Sequence, residues 1–129
     1  MAPRAAQANV LLLAGRDAEA RTRLEEGLAR LPGSEALALL LVRVLASSSQ
    51  PEVRDGKRAL EIAQRLLASG SNADREEAMA LALGEAGRFK EAEEHQRRAL
   101  AGTGAGGPGR GRLERCLGFY ESGRPCRGR

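Results

Sequence analysis

Hydrophobic residues recur at helical spacing along the 129-residue chain, between short polar breaks. Leu24, Leu28 and Leu31 lie three or four positions apart, so they share one face of a helix. The breaks are rich in Gly, Pro and Ser, which end helices. They separate helices predicted at 3–14, 17–31, 35–46, 54–69, 73–86, 88–101 and 110–122. The pattern predicts an all-α fold of three helix pairs and one final helix.

The residues at the breaks suit helix ends. Gly15 and Gly87 fit the left-handed turn that commonly follows the last helical residue. Short polar side chains fit the first position, where an oxygen accepts a hydrogen bond from a free backbone N–H. The predicted N-caps are Ser34, Asp55 and either Asn72 or Asp74.

A short motif repeats along the chain. Residues 15–20 read GRDAEA and residues 87–92 read GRFKEA, and each copy opens the second helix of a predicted pair. The two copies start 72 positions apart, which is two units of about 34 residues and an insertion. The loop 47–53, with the sequence SSSQPEV, is long enough to hold that insertion.

This period, with small residues where the helices of a pair would touch, resembles the tetratricopeptide repeat family. Segments 45–60 and 119–127 resemble the C-terminal region of bacterial members. The resemblance implies a right-handed α-solenoid of about three helix–turn–helix repeats, a Gly-rich linker, a C-terminal capping helix and a basic tail. These parts would occupy residues 1–101, 102–109, 110–122 and 123–129 respectively. The matching residues are Ala8, Leu11, Gly15, Ala20, Leu24, Leu28 and Pro32; Leu41, Val42, Leu45, Ala59, Ala63 and Leu67; and Met79, Ala80, Leu83, Gly87, Ala92, Ala99 and Leu100.

Arrays of this family bind peptides or partner proteins in a concave groove lined by the first helix of each pair. The resemblance therefore implies a non-catalytic protein–protein interaction scaffold. Arg43 lies on an otherwise apolar helix, and we consider two roles for it. It anchors a carboxylate of the partner, or its charged end simply reaches solvent. The groove residues that the resemblance implies are Asn9, Leu12, Leu39, Arg43, Ser47, Glu77, Leu81 and Glu85.

The positive charge is confined to the C-terminal part of the chain. Residues 1–101 carry fifteen Lys and Arg and fifteen Asp and Glu, whereas residues 102–129 carry six Arg and two Glu. A basic nucleic-acid-binding domain is therefore not expected. Two alternatives to the scaffold stay open. One is a nucleic-acid-associated protein acting through its Arg/Gly-rich tail. The other is the regulatory or targeting C-terminal region of a larger enzyme, because the chain opens within a helical pattern.

No catalytic or metal-binding constellation is expected from the sequence. His95 is the only histidine, and we place it on a solvated outer helix face. The adjacent carboxylates Glu76 and Glu77 point apart on a helix, and we assign them to a solvated face as well. The Gly-rich stretch 102–111 lacks the Lys of a phosphate-binding loop. We therefore predict that the chain is not an enzyme and has no cofactor or small-molecule substrate.

The two cysteines lie near the C-terminal end. Cys116 and Cys126 are expected to be unpaired thiols, with pairing as the alternative in an oxidising compartment. The apolar run at 10–14 is too short for a signal peptide, and no run approaches the roughly 20 residues that span a bilayer. The sequence therefore predicts a cytoplasmic protein without a membrane span.

Overall fold

The computed structural model describes residues 8, 11, 12, 14–104, 106, 107 and 109–127. These residues form helices joined by turns and short loops, and no strand occurs among them. Most of the predicted helix 3–14 lies outside the described residues. Of the residues in this range that are described, Ala8, Leu11 and Leu12 are helical. The other six predicted helices are confirmed to within two residues. They are α1 (Asp17–Arg30), α2 (Glu35–Ser47), α3 (Gly56–Ala68), α4 (Ala73–Glu85), α5 (Phe89–Ala101) and α6 (Arg110–Glu121).

Three of these helices begin at the predicted polar caps. The side chains of Ser34, Asp55 and Asn72 each accept a hydrogen bond from the backbone N–H three residues later, at 3.3, 3.1 and 2.8 Å. Of the two candidates for the start of α4, Asn72 is the cap and Asp74 lies within the first turn. Each cap satisfies a backbone donor that would otherwise have no intrahelical partner.

The two copies of the repeated motif adopt the same local structure. Gly15 and Gly87 have φ of +76° and +80°, which side chains other than Gly rarely adopt. The residue after each glycine is Arg16 or Arg88, and its backbone N–H donates to the carbonyl five residues earlier. Each arginine also pairs with the glutamate three residues later in its own copy. The repeat seen in the sequence is therefore also a repeat of backbone turn and ion pair.

The helices pack mostly against their neighbours along the chain. Helices in contact are α1 with α2, α2 with α3, α3 with α4, α4 with α5 and α5 with α6, and α2 also contacts α4. Alanines that were matched to the repeat family sit where helices meet and are fully buried. Small side chains there let two helix backbones approach closely. These alanines are Ala20, Ala59, Ala63, Ala92 and Ala99.

The last helix is fixed by one buried aromatic ring. Tyr120 is 1% exposed and lies against the backbone of α4 at Gly84. A Cβ atom on Gly84 would lie only 2.6 Å from Cε1 of that ring, so only glycine allows this approach. Gln96 of α5 also donates to the backbone carbonyl of Leu113 at 2.9 Å. Helix α6 is thus anchored to both helices of the preceding pair.

A disulfide joins the two cysteines, so the expectation of unpaired thiols was wrong. The Cα atoms of Cys116 and Cys126 are 5.2 Å apart, a separation typical of disulfides. The bond became possible because α6 ends at Glu121 and the chain turns back along it, which spacing in the sequence did not reveal. Such bonds are typical of oxidising compartments, and cytoplasmic localisation stays a prediction.

Candidate functional site: a groove between α2 and α4

A shallow groove of about 260 Å³ lies between helices α2 and α4. It brings together four of the residues predicted for the binding face, namely Leu39, Arg43, Glu77 and Leu81. The lining residues of each helix follow the spacing i, i+3, i+4 and i+7, so each set occupies one face. The complete lining is Ala36, Leu39, Leu40, Arg43, Asp74, Glu77, Ala78 and Leu81.

The groove continues towards the N-terminal part of the chain. Leu12, Arg43 and Ser47 line an adjoining crevice of about 20 Å³, so Arg43 borders both depressions. Leu12 and Ser47 are buried, and the Ser47 hydroxyl donates to the backbone carbonyl of Arg43 in its own helix. The Ser47 hydroxyl is therefore already bonded within α2. Asn9 lies outside the described residues.

Glu77 joins three helices at the polar end of the groove. Its side chain is only 6% exposed, although we had predicted a solvated position. Nε and Nη2 of Arg112, on α6, each donate to one of its carboxylate oxygens at 3.0 Å. Nη2 of Arg43 lies 3.4 Å from the same carboxylate. Two guanidinium groups offset the cost of burying this charge, which otherwise destabilises a fold.

Arg43 keeps part of its hydrogen-bonding capacity. Its side chain is 34% exposed, and its one ion pair with a described residue is the contact with Glu77. A guanidinium group has five N–H donors, so several remain for a ligand in the groove. The arginine is therefore neither free in solvent nor fully used, and it presents positive charge beside the apolar floor formed by Leu39 and Leu81.

The arrangement of Glu85 differs from the prediction. It lies at the end of α4, where Nε of Arg54 is 3.4 Å from its carboxylate. Arg127 donates to both carboxylate oxygens, at 3.1 and 3.3 Å. Glu85 is absent from the groove lining, and its charge is offset by these two arginines. It therefore holds the loop 48–55 and the C-terminal segment on α4.

Arg112 is the functional candidate that the sequence did not reveal. Its only signal was a position in the first turn of the predicted final helix. Its pairing with Glu77 bridges 35 residues along the chain and depends on how α6 docks. No local pattern encodes that docking.

A second polar cluster lies at the start of α4, and it corrects two further predictions. Glu76 is 5% exposed, and Nδ1 of His95 lies 2.6 Å from its Oε1 atom. The hydroxyl of Ser71 donates to Oε2 at 2.6 Å. His95 therefore faces α4 and is largely shielded from solvent. Burial raises the pKa of Glu76, but the hydrogen bonds from Ser71 and His95 and the charges of His95 and Arg98 together outweigh that effect, so its pKa lies below the ordinary value.

The carboxylates at the start of α4 are occupied by protein groups. Among the described residues, no three His, Cys, Asp or Glu side chains are grouped as metal ligands. The carboxylate of Glu76 is occupied by two close partners, and neighbouring Glu77 points to a different set of helices.

The described part of the chain also contains no helix with the length and apolar character needed to cross a membrane.

The chain was compared with protein-family models, with curated protein sequences and with solved structures, and none of them matches it.

Proposed function

We propose that this protein is a non-catalytic scaffold that binds a peptide segment of a partner protein in the groove between α2 and α4. The observation that carries the proposal is the groove itself, where an apolar floor meets the partly exposed guanidinium of Arg43. Apolar surface supplies binding free energy, and a charged donor at one end fixes the direction of the bound segment.

We also propose that the helices form a right-handed α-solenoid of the tetratricopeptide kind. Two features support it. The motifs at Gly15 and Gly87 form the same turn and the same ion pair, as expected of equivalent positions in two repeats. Helix α4 also contacts both α2 and α3, as stacking of successive helix pairs requires.

The partner segment should carry an acidic residue next to two apolar residues. The acidic group would accept hydrogen bonds from Arg43, and the apolar side chains would cover Leu39 and Leu81. Nucleic acid is a weaker candidate, because two of the C-terminal arginines are engaged. Arg112 and Arg127 pair with glutamates of α4 and are therefore less available for phosphate.

A peptide-display selection on the purified protein tests this proposal. Enriched peptides are titrated against wild type and two variants, Ala36→Trp and Ala18→Trp. Ala36 is exposed and lines the groove, so the indole should fill it. Ala18 is equally a small exposed helical residue, but on α1 and away from the groove.

We expect Ala36→Trp to weaken peptide binding by about tenfold or more, equivalent to about 1.4 kcal/mol, and Ala18→Trp to leave it unchanged. Enriched peptides should share an acidic residue beside apolar ones, and Arg43→Gln should weaken them selectively. Failure to enrich any peptide, or equal loss in both tryptophan variants, would contradict the groove as the binding site. Retention of nucleic acid alone would favour the alternative in which the Arg/Gly-rich tail binds nucleic acid.

A further inference from the structure

The C-terminal strap, which we define as residues 122–127, is held on the fold by contacts of different kinds. Its backbone closes on the end of α6, where Gly123 and Arg124 donate N–H groups to Tyr120 and Phe119 at 3.0 and 2.9 Å. The guanidinium of Arg124 also lies over the Phe119 ring, 4.9 Å from its centroid. These contacts secure the first half of the strap to α6.

The second half of the strap is held by one covalent bond, one ion pair and the apolar packing of Cys126. Cys126 is bonded to Cys116, and Arg127 pairs with Glu85 of α4. The Arg127 side chain is 42% exposed, so water and salt weaken this pair, and such pairs stabilise a fold only slightly. The disulfide is therefore the main constraint that keeps residues 125–127 on the fold, through Cys116 of α6.

The two cysteines differ in burial. Cys116 lies within α6 and is 4% exposed. Cys126 lies outside any helix and is only partly buried, packed at the edge of the hydrophobic core. An incoming thiolate therefore meets less surrounding protein at Cys126 than at Cys116.

Arginines surround both cysteines in the sequence. Arg115 precedes Cys116, while Arg124 and Arg127 flank Cys126 at short range. Arg115 and Arg124 are exposed and form no ion pair with any residue that the structure describes. Positive charge close to Cys126 along the chain attracts an anionic thiol.

We propose that Cys126 is a thiol–disulfide exchange site for an anionic thiol, and that exchange there releases the strap from Glu85. The thiolate of the reductant attacks the Cys126 sulfur and forms a mixed disulfide with it. The electron pair of the broken bond leaves on Cys116, which takes a proton from water. A second molecule of the thiol then attacks the mixed disulfide, so two thiols are oxidised to one disulfide and both cysteines are reduced.

Release of the strap exposes Glu85 while α6 stays docked through Tyr120 and Arg112. The exchange thus changes the surface at the end of α4 without unfolding the array. This inference is independent of peptide binding in the groove, because neither the strap nor Glu85 lines that groove.

The first test identifies the attacked sulfur and the preferred thiol. The oxidised protein is treated with glutathione, which is anionic, or with cysteamine, which is cationic, and the rate of disulfide reduction is measured. Each rate is divided by the rate at which the same thiol reduces hydroxyethyl disulfide, which corrects for the intrinsic reactivity of the thiol. Glutathione should be relatively faster, and salt should reduce its advantage. Rapid alkylation and peptide mapping should find the mixed disulfide on Cys126. An adduct mainly on Cys116, or no preference for glutathione, contradicts the proposal.

The second test measures release of the strap by hydrogen exchange in the oxidised and reduced wild type. Exchange at the amides of Cys126 and Arg127 should rise severalfold on reduction, whereas the amides of residues 122–124, which donate to α6, and those of α1 should not change. A variant with both Cys116→Ser and Cys126→Ser should resemble the reduced protein and ignore reductant. Unchanged exchange in the strap, or loss of protection throughout the chain on reduction, would overturn the inference.

Discussion

The contact between Gly84 and Tyr120 allows a sharp test of how α6 is attached. In Gly84→Ala, the added methyl would meet the ring at 2.6 Å from Cε1 and 3.2 Å from Cδ1. A tyrosine ring that is 1% exposed has little room to move, so either the ring or α6 must shift. Overpacking of this kind costs about 1–3 kcal/mol, whereas alanine in place of helical glycine stabilises by about 1 kcal/mol. We therefore expect a net destabilisation of up to about 2 kcal/mol.

Gly118→Ala is the matched control for this change. Gly118 is also a helical glycine, but a Cβ built there meets nothing within 4 Å. That variant should be more stable by up to about 1 kcal/mol, so the two variants should differ by about 1–3 kcal/mol. Urea unfolding monitored by circular dichroism measures both free energies.

A double-mutant cycle locates the effect. When Tyr120→Leu is combined with Gly84→Ala, the smaller side chain should remove most of the clash, so the two free-energy changes should not add. If Gly84→Ala stabilises the protein as much as Gly118→Ala does, the ring does not pack on α4 as described. Additive changes in the cycle would contradict the contact in the same way.

Three further predictions concern buried polar groups and their partners. Tyr120→Phe should raise the free energy of unfolding by up to about 1 kcal/mol, because the buried hydroxyl has no hydrogen-bond partner among the described residues. A clear loss of stability in urea unfolding would instead show that the hydroxyl has a partner. Arg112→Ala should cost about 1–2 kcal/mol, a figure discounted because the Arg112 side chain is 42% exposed. Arg115 on the same helix is exposed and has no ion pair with a described residue, so Arg115→Ala should change stability by less than about 0.5 kcal/mol. Equal effects of the two variants would argue against the bridge from Arg112 to Glu77. The pKa of Glu76 is lower in the folded protein than its ordinary value of 4.5. The ionised carboxylate therefore stabilises the fold above pH 4.5, and this contribution is lost as the pH falls through the folded-state pKa. Glu76→Gln should therefore flatten the acid side of the stability profile, and an unchanged profile in urea titrations from pH 7 to about pH 3 would oppose this assignment.

The groove and the strap involve different parts of α4. The groove uses the face of α4 that carries Glu77 and Leu81, while the strap covers Glu85 at its end. Ala36→Trp and the cysteine variants therefore perturb separate surfaces, and their effects on peptide binding and on strap exchange can be measured independently.

Local features of the fold were predictable because they depend on neighbours in the sequence. Apolar spacing defined six helices to within two residues, since a helix must bury one face. Ser34, Asp55 and Asn72 were recognisable as caps because a short oxygen-bearing side chain reaches its own backbone. Part of the groove was also accessible from the sequence: Leu39, Arg43, Glu77 and Leu81 follow from the faces of α2 and α4 and from the family resemblance.

The positions of charges and thiols required the tertiary structure. Charged residues on a helix usually face water, which is why Glu76, Glu77 and His95 were assigned to solvated faces. Each is shielded because a helix distant in sequence brings a compensating partner, as Arg112 does for Glu77 across 35 residues. The disulfide likewise depends on the return of the chain after α6. Helical periodicity and capping are local and were fixed by the sequence alone, whereas these pairings depend on how the helices dock, which no short segment encodes.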